Sequence, residues 1–166
     1  DYEVPLLGES HWRETVAGVH YRVGASSFFQ TQTAGAEALV ETALAWAAPA
    51  GSERVLDLYC GAGTFSLPFA RRAARVLGVE SFEAAVLEAR ANAAANGIGG
   101  AEFHCGLIEE RGAPPWQTGP WDLVILDPPR CGLHQRALER IRALRAPRIL
   151  YVSCNPATLA RDAAPL

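Results

Sequence analysis

The chain has 166 residues, 49% of them hydrophobic and 20% charged, which supports one globular domain with a real core rather than two. No apolar run is long enough to span a bilayer and no signal-peptide pattern opens the chain, so a soluble protein is expected. A net charge of −3 gives no broad attraction for polyanions; the 15 basic residues are all Arg, whose fork suits phosphate oxygens, but a GC-rich coding bias is the better explanation.

Two alternating runs, Arg13–Val16 and Val19–Val23, flank Ala17-Gly18 and predict a β-hairpin within an N-terminal extension over residues 1–32. An Ala/Leu/Glu-rich run over 33–48 reads as a helix with Thr33 as its N-cap and Pro49 as its stop. From Arg54 onward, strand and helix patterns alternate. Strand Val55–Tyr59 precedes a helix over Phe65–Ala74, and strand Val76–Glu80 precedes a helix from a Ser81 cap to Ala95, closed by Asn96-Gly97. Strand Ala101–Cys105 and a loop-rich 106–121 follow, then strand Trp121–Leu126, helix Gln135–Leu144 and strand Arg148–Ser153. This order predicts an α/β domain over 33–166, with a mostly parallel, doubly wound sheet and helices on both faces. Thr158–Leu166 reads as a helix barely begun, and the chain contains no Met. Part of a longer protein is therefore expected.

The four cysteines, at positions 60, 105, 131 and 154, lack metal-ligand spacing, so free thiols in a reducing cytoplasm and no metal site are expected. The four His residues form no constellation either.

Three motifs fall at carboxyl ends of predicted strands, where open α/β sheets bind ligands. In the first, Asp57-Leu58-Tyr59-Cys60-Gly61-Ala62-Gly63-Thr64, the glycines permit a tight turn and a close ligand. Glu80 ends the next strand, where an acidic side chain reaches ribose hydroxyls. No third Gly follows to suit a pyrophosphate, which favours S-adenosylmethionine over a dinucleotide; Asp57 and Glu80 supply negative potential for its cationic sulfur. In the second motif, Asp127-Pro128-Pro129-Arg130, two prolines stiffen a loop that carries a carboxylate and a guanidinium. The third is Ser153-Cys154-Asn155-Pro156, a thiol beyond the last strand. Cys60, inside the Gly-rich turn and facing the cofactor, reads as packing.

Together, Phe28-Phe29-Gln30-Thr31-Gln32, Leu58–Ser66, Asp127–Arg130 and Ser153–Leu159 resemble the RNA 5-methyluridine methyltransferases, over nearly all of the chain from Glu14. The resemblance implies a Rossmann-like class I methyltransferase fold and transfer of a methyl group from S-adenosylmethionine to C5 of a uridine in transfer or ribosomal RNA. It gives Cys154 the role of nucleophile on C6 and places Arg130 beside the reacting base. It places Gln30, Tyr59, Gly61, Gly63, Thr64, Glu80 and Asp127 around the cofactor. Phe28-Phe29 would wall the pocket or pack in the core. The family has a general-base Glu beyond the cysteine motif, so the chain is expected to stop short of the last strands and of that base. Two other readings stay open: an exocyclic-amine nucleic-acid methyltransferase using Asp127-Pro-Pro as base clamp, and a non-catalytic RNA- or cofactor-binding module.

Overall fold

The computed structural model describes residues 8–25, 27–110 and 112–166; residues 1–7 of the predicted N-terminal extension lie outside the described residues. Strands β1 (His11–Val16) and β2 (Val19–Gly24) form the expected antiparallel hairpin, turning at Ala17 and Gly18, both with positive φ. Helix α1 (Thr33–Ala47) follows, and Ala48 ends it in a left-handed conformation. A five-stranded parallel sheet is then laid down by β3 (Arg54–Leu58), β4 (Arg75–Glu80), β5 (Ala101–Cys105), β6 (Leu123–Leu126) and β7 (Ile149–Tyr151). Its order is β5-β4-β3-β6-β7. The chain builds outward from β3 in one direction and returns to build on its other side, so the topological switch lies between β3 and β6. Between strands come helices α2 (Ser66–Ala70), α3 (Glu83–Ala95) and α4 (Gln135–Leu144), and α5 (Pro156–Ala163) follows β7.

The period-2 alternation of the strands separates two cores. Val55, Val76, Leu123, Ile125 and Leu150 face one side, where the hairpin, α1, α2 and α3 cover them. Leu56, Leu58, Leu77, Val79, Val124, Leu126 and Tyr151 face the other, against Ala137, Leu138 and Ile141 of α4 and the buried Trp116 and Trp121. Helices on both faces of a parallel sheet make this the expected Rossmann-like, doubly wound α/β fold.

The hairpin is fastened by polar side chains as well as by packing. Along α3, Glu88, Asn92 and Asn96 recur every four residues and meet alternate residues of β2. Glu88 Oε1 accepts from Gly24 N at 2.9 Å. Asn92 accepts from Arg22 N at 2.8 Å and donates to its carbonyl at 3.1 Å; Asn96 does the same for His20 at 2.9 and 2.6 Å. The outer edge of β2 is thus hydrogen-bonded by a helix standing in for a strand.

Local details depart from the sequence reading for identifiable reasons. The N-cap of α1 is Gln32, because the Thr33 hydroxyl donates instead to Glu14 at 2.8 Å. Helix α2 stops at Ala70 rather than Ala74: the amides of Ala74 and Arg75 bond to Glu53 O and pull the chain into β4. Ser81 does not cap α3, since its amide and hydroxyl both donate to Glu80 Oε1, leaving Phe82 in the cap position. Trp121 precedes β6, and α5 is a full helix from Pro156, capped by Asn155 Oδ1 accepting from Ala157 N at 3.1 Å.

Candidate active site

The carboxyl ends of the central strands are aligned by backbone hydrogen bonds that continue past the strands. Tyr59 N and Cys60 N bond to Val79 O, Asp127 N to Leu58 O, and Val152 N to Leu126 O. Tyr59, Gly61, Glu80, Asp127 and the loop bearing Cys154 therefore share one edge, spread over about 14 Å from β4 to β7 at ordinary strand spacing.

At the switch point, β3 runs into a turn with three consecutive demands on the backbone. Tyr59 has φ +66, a conformation costing on the order of 1–3 kcal/mol for a non-glycine residue. Gly61 and Gly63 follow at φ +54 and +93. Space above Gly61 is open: a Cβ there would find only the Phe28 carbonyl, at 3.9 Å. The turn is braced from the hairpin, since the buried Tyr21 hydroxyl lies 3.4 Å from Gly63 O and 3.3 Å from Thr64 O. The Tyr21 ring also packs on Phe29, with centroids 5.3 Å apart. That contact ties the Phe28-Phe29-Gln30 segment to the glycine turn. Phe29 is core, whereas Phe28 is 73% exposed. Gln30 and Thr64 are half-buried beside them.

Beneath the turn, Asp57 is fully buried, and Ser66 Oγ donates to its Oδ2 at 2.5 Å while Oδ1 has no partner among the described residues. Burial pushes its pKa up to about 7, against the Ser66 hydrogen bond; Asp127 and Glu80 push it further in the same direction. Burial also raises Asp127 to about 6. Glu80 divides its carboxylate: Oε1 takes Ser81 and the Phe82 amide, whereas Oε2, among the described residues, takes only Gly61 N, at 3.1 Å, and keeps a free lone pair. Cys60 is packing, as expected, but it faces the core rather than a cofactor. It lies against Gly78 and Phe103, at a position where any Cβ on residue 78 would collide with its sulfur, and burial raises its thiol pKa well above the ordinary value.

On the far side of the switch, Cys154 is exposed and immediately precedes the α5 cap. Ser153 and Asn155 bond to each other, shaping the loop. The Asn155 amide and Thr158 hydroxyl reach Arg130 O at 3.4 and 3.5 Å, bringing the two motif loops side by side. The Arg130 guanidinium is exposed and makes no hydrogen bond or ion pair among the described residues.

Sequence reasoning missed Tyr21, the Glu88/Asn92/Asn96 ladder and Asp162. The four-residue spacing of the ladder was readable, but its partner strand was not. Two cavities, of about 540 and 430 Å³, lie elsewhere, one where Arg54, Arg75 and Trp121 converge at the amino end of the sheet and one beside the hairpin. Neither is lined by the glycine turn, Glu80, Asp127 or Cys154, so both lie apart from the open carboxyl edge. Among the described residues no cluster of His, Cys, Asp or Glu is placed to hold a metal ion, and no helix is long and apolar enough to cross a membrane.

Comparison with known proteins agrees with this geometry. The family model described as tRNA (uracil-5-)-methyltransferase matches residues 13–109 and 119–166. The chain belongs to the tRNA (uracil-5-)-methyltransferase family. Among curated members, it is 49% identical to an uncharacterized RNA methyltransferase of Thermosynechococcus vestitus over 97% of this chain and 35% of that protein. It is also 49% identical to the 23S rRNA (uracil(1939)-C(5))-methyltransferase RlmD of Pseudomonas aeruginosa over 92% of this chain and 33% of that protein. A solved member, the Pyrococcus abyssi tRNA (uracil-54, C5)-methyltransferase in complex with S-adenosyl-L-homocysteine, superposes with a TM-score of 0.82 at 38% identity, covering 96% of this chain and 38% of that one. The chain thus spans about a third of the length of the curated members it matches.

Proposed function

We propose that this chain is the catalytic domain of an RNA methyltransferase that modifies C5 of a uridine in ribosomal or transfer RNA. The observation that carries the reading is the pairing of an exposed thiol, Cys154, with an uncommitted guanidinium, Arg130, on adjoining loops at the edge that also holds the glycine turn. Relatives named for uracil-C5 methylation of 23S rRNA and tRNA support the substrate class.

The residues fit S-adenosylmethionine. Gly61 leaves backbone open to a ligand, Gly63 lets the turn close tightly over Leu67, Glu80 Oε2 retains capacity for a ribose hydroxyl, and Asp127 adds a carboxylate. Gln30, Tyr59 and Thr64 complete the set. When bound, the cofactor supplies a methyl group made electrophilic by its cationic sulfur. Uracil C5 alone is too weak a nucleophile to take it. Addition of the Cys154 thiolate to C6 converts the ring to an enolate with electron density at C5. Arg130, with its guanidinium free, stabilises the developing oxyanion. The base must be turned out of any stack to reach this edge. After methylation the C5 proton leaves to a base and the C6–S bond breaks, regenerating the thiolate. Asp162, the carboxylate nearest to Cys154 in sequence, is not that base, because it is buried and accepts three hydrogen bonds. Three exposed free thiols, Cys105, Cys131 and Cys154, suit a reducing cytoplasm.

A trap tests the reading. Fluorine at C5 cannot leave as a proton, so RNA transcribed with 5-fluorouridine and incubated with S-adenosylmethionine should become covalently linked to the full-length protein. Cys154→Ala should abolish that link and methyl transfer together. A Cys154→Ala protein that still formed the adduct would remove the thiol from the mechanism.

A further inference from the structure

The sheet does not by itself fix how far Cys154 sits from Arg130. β7 has three residues, none fully buried, and hydrogen-bonds only to β6 among the described strands. The two residues lie beyond the ends of β7 and β6, on separate loops. What joins those loops is a carboxylate on α5. Asp162 is 2% exposed. Its Oδ2 accepts from Leu133 N at 2.7 Å, in the loop that carries Arg130, and from the Tyr151 hydroxyl at 2.8 Å, at the end of the strand that leads to Cys154. Its Oδ1 accepts from Arg161 Nε at 2.7 Å, and Arg161 Nη2 donates onward to Cys131 O at 2.9 Å. These bonds are shorter than the two direct contacts to Arg130 O, at 3.4 and 3.5 Å. Bonds to an ionised carboxylate are also roughly twice as strong as neutral ones.

The fit is close on the opposite side as well. Gly132, at φ +77, lies against Asp162, Arg161 and Thr158, with no room for a Cβ. The Gly132 amide closes a turn onto Pro129 O at 2.8 Å, so a loop stiffened by Pro128 and Pro129 is pressed onto α5. At its other end, α5 begins two residues after Cys154 and is capped by Asn155. A rigid path therefore runs from Arg130 through Leu133, Asp162 and α5 to Cys154.

We infer that Asp162 is the positioning residue that sets the thiol of Cys154 against the guanidinium of Arg130. Neither residue hydrogen-bonds Asp162 among the described residues. It acts by holding their loops at the separation that one uracil ring requires, with the thiol at C6 and the guanidinium at the ring oxygen. This inference rests on the roles of Cys154 and Arg130 proposed above.

The test uses the full-length protein, saturating S-adenosylmethionine, and ribosomal and transfer RNA transcripts containing 5-fluorouridine. The rate of covalent complex formation is measured for wild type, Asp162→Asn, Arg161→Gln and Cys154→Ala, with cofactor affinity by calorimetry and Tm alongside. Asp162→Asn should slow adduct formation by about 30- to 100-fold. Cofactor affinity should stay within about twofold of wild type, because the glycine turn lies across the switch point. Arg161→Gln, on the exposed side of the clamp, should slow the reaction by about fivefold. It also carries the test if Asp162→Asn fails to fold. A wild-type adduct rate in a folded Asp162→Asn protein, or a rate loss matched by an equal loss of cofactor affinity, overturns the inference. In the unfolded case, a wild-type rate for Arg161→Gln does so. An adduct formed by Cys154→Ala instead overturns the assignment of the nucleophile, and the inference with it.

Discussion

Two turns leave the same edge of the sheet, one after β3 and one after β7, and each carries a cysteine just past its strand. Tyr59 in left-handed conformation turns Cys60 inward against Gly78 and Phe103. The β7 turn has extended backbone, with Asn155 at φ −135, and leaves Cys154 in solvent. Residue type is the same; backbone direction makes one thiol a core atom and leaves the other exposed. Each turn also has a buried carboxylate beneath it, and the balance between burial and hydrogen bonding shifts the two pKa values in opposite directions. Asp57, with one hydroxyl donor and one bare oxygen, is pushed up to about 7. For Asp162, burial again raises the pKa, but Arg161, Leu133 N and the Tyr151 hydroxyl together hold it below the ordinary value.

The largest expected difference between the turns is catalytic. Cys154→Ala should reduce methyl transfer on the order of 10⁴-fold or more, the scale of losing a covalent nucleophile. Cys60→Ala should keep most activity and cost about 1 kcal/mol of stability through the small cavity left in the core. Denaturant titration and a methyl-transfer assay on both variants would break the comparison if their effects were reversed.

The carboxylates make the next contrast. A folded-state pKa raised to about 7 means that Asp57 favours the folded protein at low pH, and that this contribution is lost as pH rises from about 4 through 7. Asp162, with a lowered pKa, contributes stability above its unfolded value, and that is lost as pH falls into the acid range. Asp57→Asn should therefore remove a decline on the order of 4 kcal/mol between pH 4 and 8, visible as a flatter stability profile than wild type. A profile unchanged by the substitution would show that the buried oxygen of Asp57 is solvated or paired.

Smaller effects separate the glycine turn from the capped one. Gly63→Ala meets both φ +93 and the Leu67 side chain at 3.1 Å, so about 2 kcal/mol of stability and a several-fold loss of cofactor affinity are expected. Asn155→Ala should cost about 1 kcal/mol through the lost α5 cap, with cofactor affinity unchanged by calorimetry.

Much of this architecture was legible in the sequence because its signals are local. Short apolar runs in β3, β4 and β6 marked the strands, and Gly61, Gly63, Glu80 and Asp127 sit at or just past strand ends whatever the tertiary packing. Ser81 as a cap failed because a neighbouring carboxylate competed for its hydroxyl and amide. The helix from Phe65 was drawn too long because Glu53 O, distant in sequence, captures the amides that would have continued it. Asp162 carried no local signature at all. Its partners come from β7, α5 and the loop after β6, and only folding brings those donors together.

The ladder between α3 and β2 has a geometric limit. Four residues of helix rise about 6.0 Å, and two residues of strand advance about 6.6 Å, so helix and strand stay nearly in step from rung to rung. The mismatch of about 0.6 Å per rung is tolerable across Glu88, Asn92 and Asn96, but it accumulates, and a fourth or fifth rung would fall outside hydrogen-bonding range. A helix can therefore seal the border of a short strand against another chain without itself being a strand. The six residues of β2 are a length over which that substitution still works.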